Sequence, residues 1–197
     1  GDREGELALE RITPLIEKFP VQKSDKEGYF SQEDVVLITY GDSLLGKGQV
    51  PLVTLHDFAT TYLRDAISTV HFLPFFPWSS DDGFSVMDFF AIDPALGSWE
   101  EVVSIGRDFQ LMFDYVVNHF SSKGQWFENY LAGKEGYVDF AMEVDPAADL
   151  SQVTRPRALP LLSEYKKHDG STVHLWTTFS ADQIDFNFKS LDVLEKM

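Results

Sequence analysis

Three apolar runs typical of β-strands alternate with helix-like segments between residues 35 and 117, and this alternation restricts the chain to few folds. The runs are Val35–Tyr40, Thr69–Pro74 and Gln110–Val117, each rich in β-branched or aromatic residues. A continuous apolar run predicts a strand that is buried on both faces, as in a parallel sheet. We therefore predict an α/β fold in which helices connect parallel strands.

Helical periodicity marks the segments around these runs. We predict helices over Leu7–Phe19 and Thr54–Leu63, where apolar residues recur at helical spacing. A third helix is predicted from Ser98 to about Gly106, because Ser98 and Glu101 have the spacing of a capping box. The first of these helices precedes the first strand and is interpreted as an appended element.

The alternation breaks after the third run. Residues 121–178 include one further predicted helix around 126–131 and then a polar stretch, which is too long for an ordinary loop. We therefore predict a small inserted subdomain, and a new helix beginning at Leu191. The predicted division is an N-terminal helical extension (1–34), the first part of a barrel (35–120), the inserted subdomain (121–178) and a return to the barrel (179–197).

Three βα units fit either a doubly wound sheet or a (β/α)8 barrel. No G-x-G-x-x-G sequence follows a predicted strand, which argues against a dinucleotide-binding fold. A barrel usually needs roughly 250 residues, whereas this chain has 197. We therefore expect a partial (β/α)8 TIM barrel, about its first three βα units, with an inserted subdomain after the third strand.

The charge and composition exclude some classes of partner. A net charge of −16 disfavours a nucleic acid or an anionic membrane as a large-area partner, whereas a neutral sugar meets no such repulsion. With no cysteine, a disulfide framework and a thiolate metal site are both excluded. No apolar run is long enough to span a membrane and no apolar leader is evident, so the cytoplasm is the default expectation. The exposed sheet edge expected of a partial barrel predicts a homo-oligomer.

Polar residues lie within and directly after the third run, at the positions of Asp114, Asn118 and His119. In a barrel, side chains at the carboxyl end of a strand face the active site, and an imidazole there can donate a hydrogen bond to a sugar hydroxyl. A buried polar network without ligand contact is the alternative interpretation, and these residues alone do not decide between the two.

The segment after the second run, residues 74–84, combines aromatic rings, a glycine and two acids. An aromatic ring can pack on the apolar face of a pyranose, and a carboxylate can accept hydrogen bonds from neighbouring hydroxyls. The loop is therefore a candidate for sugar binding, with core packing of its aromatic residues as the alternative.

Taken together, these segments resemble the α-amylase superfamily of glycoside hydrolases, in its sucrose-phosphorylase-type branch. The run from Asp114 to His119 resembles the first conserved region of that family, and residues 79–86 resemble the strand-two loop of relatives that act on glucosylglycerate or glucosylglycerol. The run from Gln183 to Asn187 resembles the conserved region near the end of the family's inserted subdomain.

The resemblance implies a role for each matching residue. His119, Asp81 and Phe84 would bind the glucosyl group, and Phe179 and Gln183 would border the acceptor subsite. Structural support is implied for Asp114, Asn118, Asp185 and Asn187.

Arg155 and Arg157 flank a proline in this acidic chain. A guanidinium group is a frequent bidentate partner of phosphate, although surface ion pairing is the alternative interpretation. The resemblance implies that Arg157 helps bind the phosphate.

The implied activity is retaining phosphorolysis of an α-glucoside, with inorganic phosphate as the co-substrate and no other cofactor. In this family the nucleophile and the general acid follow the fourth and fifth barrel strands, so both are expected beyond Met197 and these residues alone are expected to be inactive. No metal site is expected, since few acids stand at calcium-ligand spacing. An α-glucosidase-type hydrolase and a non-catalytic module that binds a carbohydrate or a protein stay open as alternatives.

Overall fold

A computed structural model describes residues 2–19, 30–154 and 158–197. Five helices and seven strands follow one another in these residues, numbered in chain order. They are α1 (Asp2–Lys18), β1 (Val36–Thr39), α2 (Pro51–Phe58), β2 (Thr69–Phe72), α3 (Trp99–Ile105), β3 (Gln110–Phe113), β4 (His119–Ser121), α4 (Gln125–Leu131), β5 (Leu162–Lys166), β6 (Thr172–Trp176), β7 (Gln183–Asp185) and α5 (Leu191–Lys196). A π-helical turn, Ala59–Leu63, extends α2, and a 3-10 turn, Asp81–Gly83, lies between β2 and α3.

The first three strands form a parallel sheet in the order β1-β2-β3. Val36, Thr69 and Gln110 begin the paired register, so the carboxyl ends of all three strands lie at the same edge. Parallel strands require crossover connections, which α2 and α3 supply. The predicted parallel α/β arrangement is therefore confirmed.

One hydrophobic core joins these helices to one face of the sheet. Its buried side chains come from α2 and the π-helical turn that extends it, from β2 and the β2–α3 connection, and from α3 and the turn that follows it: Leu52, Leu55, Ala59, Val70, Phe72, Phe75, Ile92, Val102, Ile105 and Phe109. The core fixes β2 in the middle of the sheet, and thereby fixes where the loop after β2 begins.

The capping box predicted for α3 is confirmed. The backbone N–H of Glu100 donates to Ser98 Oγ at 3.2 Å, and the backbone N–H of Ser98 donates to Glu101 Oε2 at 2.7 Å. The hydrogen bonds from the Ser98 side chain and backbone lower the pKa of Glu101. Gly106 ends the helix, as the sequence predicts.

Two strand predictions were wrong in detail. Within these 197 residues the first strand is not buried on both faces, because Val36 and Ile38 are 43% and 60% exposed and the helices pack on the sheet face that carries Val70 and Phe72. The third strand ends at Phe113 rather than Val117. Its neighbour β2 is followed by Pro74, which has no N–H to continue the ladder toward β3.

The second half of the described chain has its own core. β4 pairs antiparallel with β7, β5 pairs antiparallel with β6, and α4 confirms the helix predicted near 126–131. The core consists of Phe120, Phe127, Tyr130, Phe140, Ala141, Val173, Leu175, Ile184, Phe186 and Val193. The antiparallel pairing of β4 with β7 places the start of one strand beside the end of the other.

The predicted first and last helices are also present. α1 contacts α5 through Arg11, whose guanidinium hydrogen-bonds Asp192 Oδ1 at 2.9 Å and also pairs with Glu195. Within the described residues, no helix is both long and apolar enough to cross a membrane.

Candidate sugar-binding site

The loop after β2 is held in an uncommon backbone conformation. Asp81, Asp82 and Gly83 all have positive φ angles, of 58°, 49° and 98°. Aspartate tolerates the left-handed region better than most residues do, and glycine adopts it without strain. A Cβ atom at Gly83 would lie 2.9 Å from the carbonyl oxygen of Pro74, so the loop folds back closely onto the end of the strand that precedes it.

The loop forms one wall of an open cavity of about 430 Å³ at the carboxyl edge of the parallel sheet. The cavity is lined by Tyr40, Asp81, Asp82, Phe84, His119 and Phe179. Four of the five predicted sugar-binding residues therefore meet in one cavity, although they come from three distant segments of the chain. The fifth, Gln183, lies next to this group and is not among the lining residues.

His119 lies in the wall of this cavity at the start of β4 and is 5% exposed. Its Nε2 is 2.9 Å from the carbonyl oxygen of Phe84, and its Nδ1 is 3.4 Å from Nδ2 of Asn118. Because a carbonyl only accepts, these contacts assign the hydrogen to Nε2, with Asn118 donating to Nδ1. The ring also packs edge-on against Phe179, with 5.2 Å between the ring centroids.

The buried side chain of Gln183 contacts three residues around the cavity. Its Nε2 donates to Asp81 Oδ2 at 2.9 Å and lies 3.1 Å from His119 Nε2, while its Oε1 accepts from Ser180 Oγ at 2.8 Å. The side chain is 1% exposed. Because Nε2 of His119 carries a hydrogen, its contact with Nε2 of Gln183 joins two donors and is not a hydrogen bond. The position of Gln183 is that of a residue that orients Asp81, rather than one that contacts the contents of the cavity.

Asp185 and Asn187 hold the segment around β7 in place. Asp185 accepts from the backbone N–H of Thr178 at 3.1 Å and from Thr178 Oγ1 at 2.5 Å. Burial raises the pKa of Asp185, against the hydrogen bonds from Thr178 that lower it. Asn187 donates to the carbonyl oxygen of Asp139 at 3.0 Å. Through these contacts both residues connect the β7 segment to neighbouring backbone, and their role as structural support stays a prediction.

Asp114 lies outside the cavity. Its Oδ2 is 3.3 Å from Nε2 of His71 on the neighbouring strand β2, without the geometry of a hydrogen bond. Arg157, the predicted phosphate ligand, and its neighbour Arg155 lie outside the described residues.

Within the ranges that the structure describes, no three histidine, aspartate or glutamate side chains converge as metal ligands would.

Sequence analysis missed three residues of the site. Tyr40 directly follows β1, and the rule that strand ends face the site could have identified it. Asp82 also lines the cavity, and it directly follows Asp81, which the sequence had identified. Asp182 precedes Gln183 and accepts hydrogen bonds from several serine hydroxyls, a relationship that no local motif indicates.

Comparison with known proteins identifies a family for the chain. The family model for the α-amylase catalytic domain matches residues 60–197. Glucosylglycerate phosphorylase of Escherichia coli is 49% identical over 172 residues, which cover 87% of this chain and 31% of that protein. Sucrose phosphorylase of Streptococcus mutans is 35% identical over 162 residues, covering 77% of this chain and 33% of that protein.

A solved structure shares the fold. The crystal structure of sucrose 6F-phosphate phosphorylase from Thermoanaerobacter thermosaccharolyticum superimposes with a TM-score of 0.75 at 31% identity, covering 85% of this chain and 36% of that one. The chain thus spans about a third of the length of the curated relatives named above.

Proposed function

Because the chain belongs to the α-amylase catalytic-domain family, we propose that the whole protein is a retaining α-glucoside phosphorylase. It transfers the glucosyl group of an α-glucoside to inorganic phosphate and releases α-glucose 1-phosphate. The observation that carries this proposal is the 49% identity with a glucosylglycerate phosphorylase, against 35% with a sucrose phosphorylase. Glucosylglycerate is therefore the first substrate to test.

The cavity has the chemistry that a neutral sugar ring needs. Asp81 offers a carboxylate that accepts hydrogen bonds from hydroxyl groups, and Phe84 and Phe179 offer apolar faces. His119 contributes its Nε2–H, which a sugar hydroxyl would share with the carbonyl of Phe84. We assign the glucosyl group to this cavity and the acceptor side to Phe179, with the buried Gln183 bordering it through its hydrogen bonds with Asp81 and Ser180.

A retaining mechanism proceeds in two displacements at the anomeric carbon. A carboxylate attacks that carbon while an acid protonates the departing oxygen of the glucoside. A phosphate oxygen then attacks the glucosyl ester, its proton passes to the conjugate base of that acid, and the carboxylate leaves. By the family resemblance both catalytic carboxyl groups lie beyond residue 197, and residues 1–197 bind and orient the glucosyl group. We assign the phosphate contact within this chain to Arg157.

The finer organisation is part of the same proposal. The sheet and its helices are consistent with the beginning of a (β/α)8 barrel, and we propose that residues 121–178 are an inserted subdomain because much of the second core lies in that range. The protein is proposed to need phosphate but no metal ion or organic cofactor. Location in the cytoplasm and assembly into a homo-oligomer stay predictions.

Phosphate dependence is the decisive test. The whole protein, incubated with glucosylglycerate and inorganic phosphate, should release glucose 1-phosphate and glycerate in equal amounts, measured by an enzyme-coupled assay. Omitting phosphate should abolish the release of glycerate. If glycerate and free glucose appear at the same rate without phosphate, the protein is a hydrolase, and if the sugar binds without turnover it is a binding module.

A pair of substitutions places the reaction in the described cavity. Asp81→Asn keeps the shape of the side chain but removes a negatively charged acceptor, and should lower kcat/KM by about tenfold or more. Asp88→Asn is the matched control, because Asp88 is an exposed residue of the same connection whose Oδ1 accepts from the backbone N–H of Phe90. An equal loss in both variants would contradict the assignment of the cavity.

A further inference from the structure

The carboxylate of Asp182 lies behind the cavity and collects hydrogen bonds from serine side chains in two other segments. Its Oδ2 accepts from Ser79 Oγ at 2.5 Å and from Ser80 Oγ at 2.5 Å, and Ser85 Oγ lies 3.0 Å from both this Oδ2 and the carbonyl oxygen of Asp182. Its Oδ1 accepts from Ser122 Oγ at 2.7 Å. Charge-assisted hydrogen bonds of this kind are stronger than those between neutral groups.

Three of these serines form the neck of the loop that carries Asp81 and Phe84. The backbone N–H of Ser79 donates to the carbonyl oxygen of Ser85 at 3.0 Å, and the backbone N–H of Ser85 donates to that of Ser80 at 3.2 Å. Both ends of the loop therefore meet at a single carboxylate oxygen. Backbone hydrogen bonds between Ser79, Ser80 and Ser85 close the neck, and side-chain hydrogen bonds to Asp182 connect it to the residue that precedes β7.

A further serine connects this neck to β4. Ser121 Oγ lies 2.6 Å from Ser79 Oγ, and Ser121 Oγ also accepts from the backbone N–H of Lys123 at 2.9 Å. A hydroxyl has one hydrogen to donate, so Ser79 gives its hydrogen to Asp182 and accepts that of Ser121. Since His119 is on β4 as well, this network and the direct hydrogen bond from His119 to the carbonyl oxygen of Phe84 fix the loop relative to the imidazole.

The conformation of the loop shows why it needs this support. Asp81 and Asp82 both have positive φ angles, and such residues persist only where their surroundings hold them. Both are exposed, so packing around their side chains contributes little. The contacts that hold the loop include the neck at Asp182, the hydrogen bond from Gln183 to Asp81 and the hydrogen bond from His119 to the carbonyl oxygen of Phe84.

We propose that Asp182 is a positioning residue, whose carboxylate fixes the loop so that Asp81 and Phe84 face the cavity and thereby sets the affinity for the glucosyl group. The proposal rests on the proposed function, since it concerns the same cavity. It assigns no chemical step to Asp182, which is separated from the cavity by the loop that it fastens.

The test compares Asp182→Asn with Glu143→Gln in the whole protein. Asn keeps the shape of the side chain, but its amide nitrogen cannot accept a hydrogen bond, so at least one serine loses its partner. We expect the KM for glucosylglycerate to rise by about tenfold, as for the loss of one hydrogen bond to a charged group, while the KM for phosphate stays unchanged. Glu143 accepts from Tyr130 Oη at 2.6 Å and Lys167 Nζ at 2.5 Å, and its loss should lower the melting temperature without changing either KM.

Amide hydrogen exchange measures the loop without using turnover. Residues 79–87 should exchange faster in Asp182→Asn than in the wild type, with no such change in Glu143→Gln. The proposal is overturned if the KM for glucosylglycerate is unchanged in Asp182→Asn, or if Glu143→Gln raises it equally. If the wild type shows no phosphorolysis, the proposed function fails, and calorimetric affinity for glucose in the same variants then decides on Asp182.

A milder variant covers the case in which Asp182→Asn does not fold. Ser80→Ala removes one donor to Oδ2 without removing the charge, and should raise the same KM by about threefold. Ser163→Ala is its control, because Ser163 Oγ also makes a side-chain hydrogen bond, of 2.9 Å with Thr177 Oγ1, but this bond lies on the β5–β6 side and involves no carboxylate. Equal effects of the two serine variants would also overturn the proposal.

Discussion

Gln183 and Asp81 are 102 residues apart in the sequence, yet Nε2 of Gln183 donates a hydrogen bond of 2.9 Å to Oδ2 of Asp81. The amide is buried in β7, whereas the carboxylate is exposed at the rim of the cavity. A rigid buried side chain therefore fixes the direction of an exposed one. In this way a side chain that the core immobilises restricts the orientation of a side chain that binds the ligand.

Replacing Gln183 by leucine should show how much the orientation of Asp81 matters, because the substitution removes the hydrogen bond to Asp81 and keeps the packing of the buried side chain. Leucine has a similar size but cannot donate to Asp81 or accept from Ser180, so we expect kcat/KM for the glucoside to fall by about 10- to 100-fold. Steady-state kinetics of the purified variant measures this. In Gln125→Leu, which removes an exposed amide that donates to Asn129 Oδ1 at 3.1 Å, the kinetic constants should not change.

Gly83→Ala tests the close approach of the loop to the end of β2. Its φ of 98° strains any other residue, and the new Cβ would lie 2.9 Å from the carbonyl oxygen of Pro74. We expect the affinity for the glucoside to fall sharply and the free energy of unfolding to fall by more than about 2 kcal/mol.

Gly133→Ala is the matched control for this substitution. Gly133 also has a positive φ, of 64°, but no atom lies within 4 Å of its added Cβ. Its free energy of unfolding should fall by only about 1–2 kcal/mol, and its substrate affinity should stay the same. If the two alanine variants lose affinity equally, the contact with Pro74 does not shape the cavity.

Local patterns predicted the elements of the fold because their causes are local. The capping box of Ser98 and Glu101 involves residues three apart, and the buried β2 shows itself as an apolar run. The end of β3 was misplaced because it depends on Pro74 of a neighbouring strand. Exposure of Ile38 likewise depends on what covers the sheet, which no pattern within the strand records.

The candidate site was predicted through family resemblance as much as through spacing. Residues such as Asp81, His119 and Phe179 come together only in the folded chain, so their chemistry alone left core packing as an alternative. The partners of Asp182 are serines, which are common in turns for many reasons, and they are spread over distant segments. Only their coordinates reveal that they share one carboxylate.

Ser98→Ala should destabilise the protein without affecting the cavity. Loss of an N-cap hydroxyl typically lowers the free energy of unfolding by about 1 kcal/mol, because the first backbone N–H groups of α3 lose their acceptor. Denaturant unfolding of the whole protein measures this. Ser104→Ala, within the same helix, should be neutral or slightly stabilising, since alanine favours the helix interior. A loss in Ser104→Ala as large as in Ser98→Ala would contradict the role of the cap.

Two aspartates should give stability effects of opposite sign as the pH falls. Burial acts to raise the pKa of Asp182, but its serine hydrogen bonds outweigh this and hold the pKa below its ordinary value of 3.8, so its stabilisation is complete above that value and is lost at lower pH. Burial raises the pKa of Asp185, so the relative stability that this residue confers should increase as the pH falls through its folded pKa. Urea unfolding at about pH 6 and about pH 3 should measure this as the loss of unfolding free energy in each variant relative to the wild type. From the higher to the lower pH, that loss should become smaller for Asp182→Asn and larger for Asp185→Asn. Deficits that move in the same direction would refute the assigned protonation states.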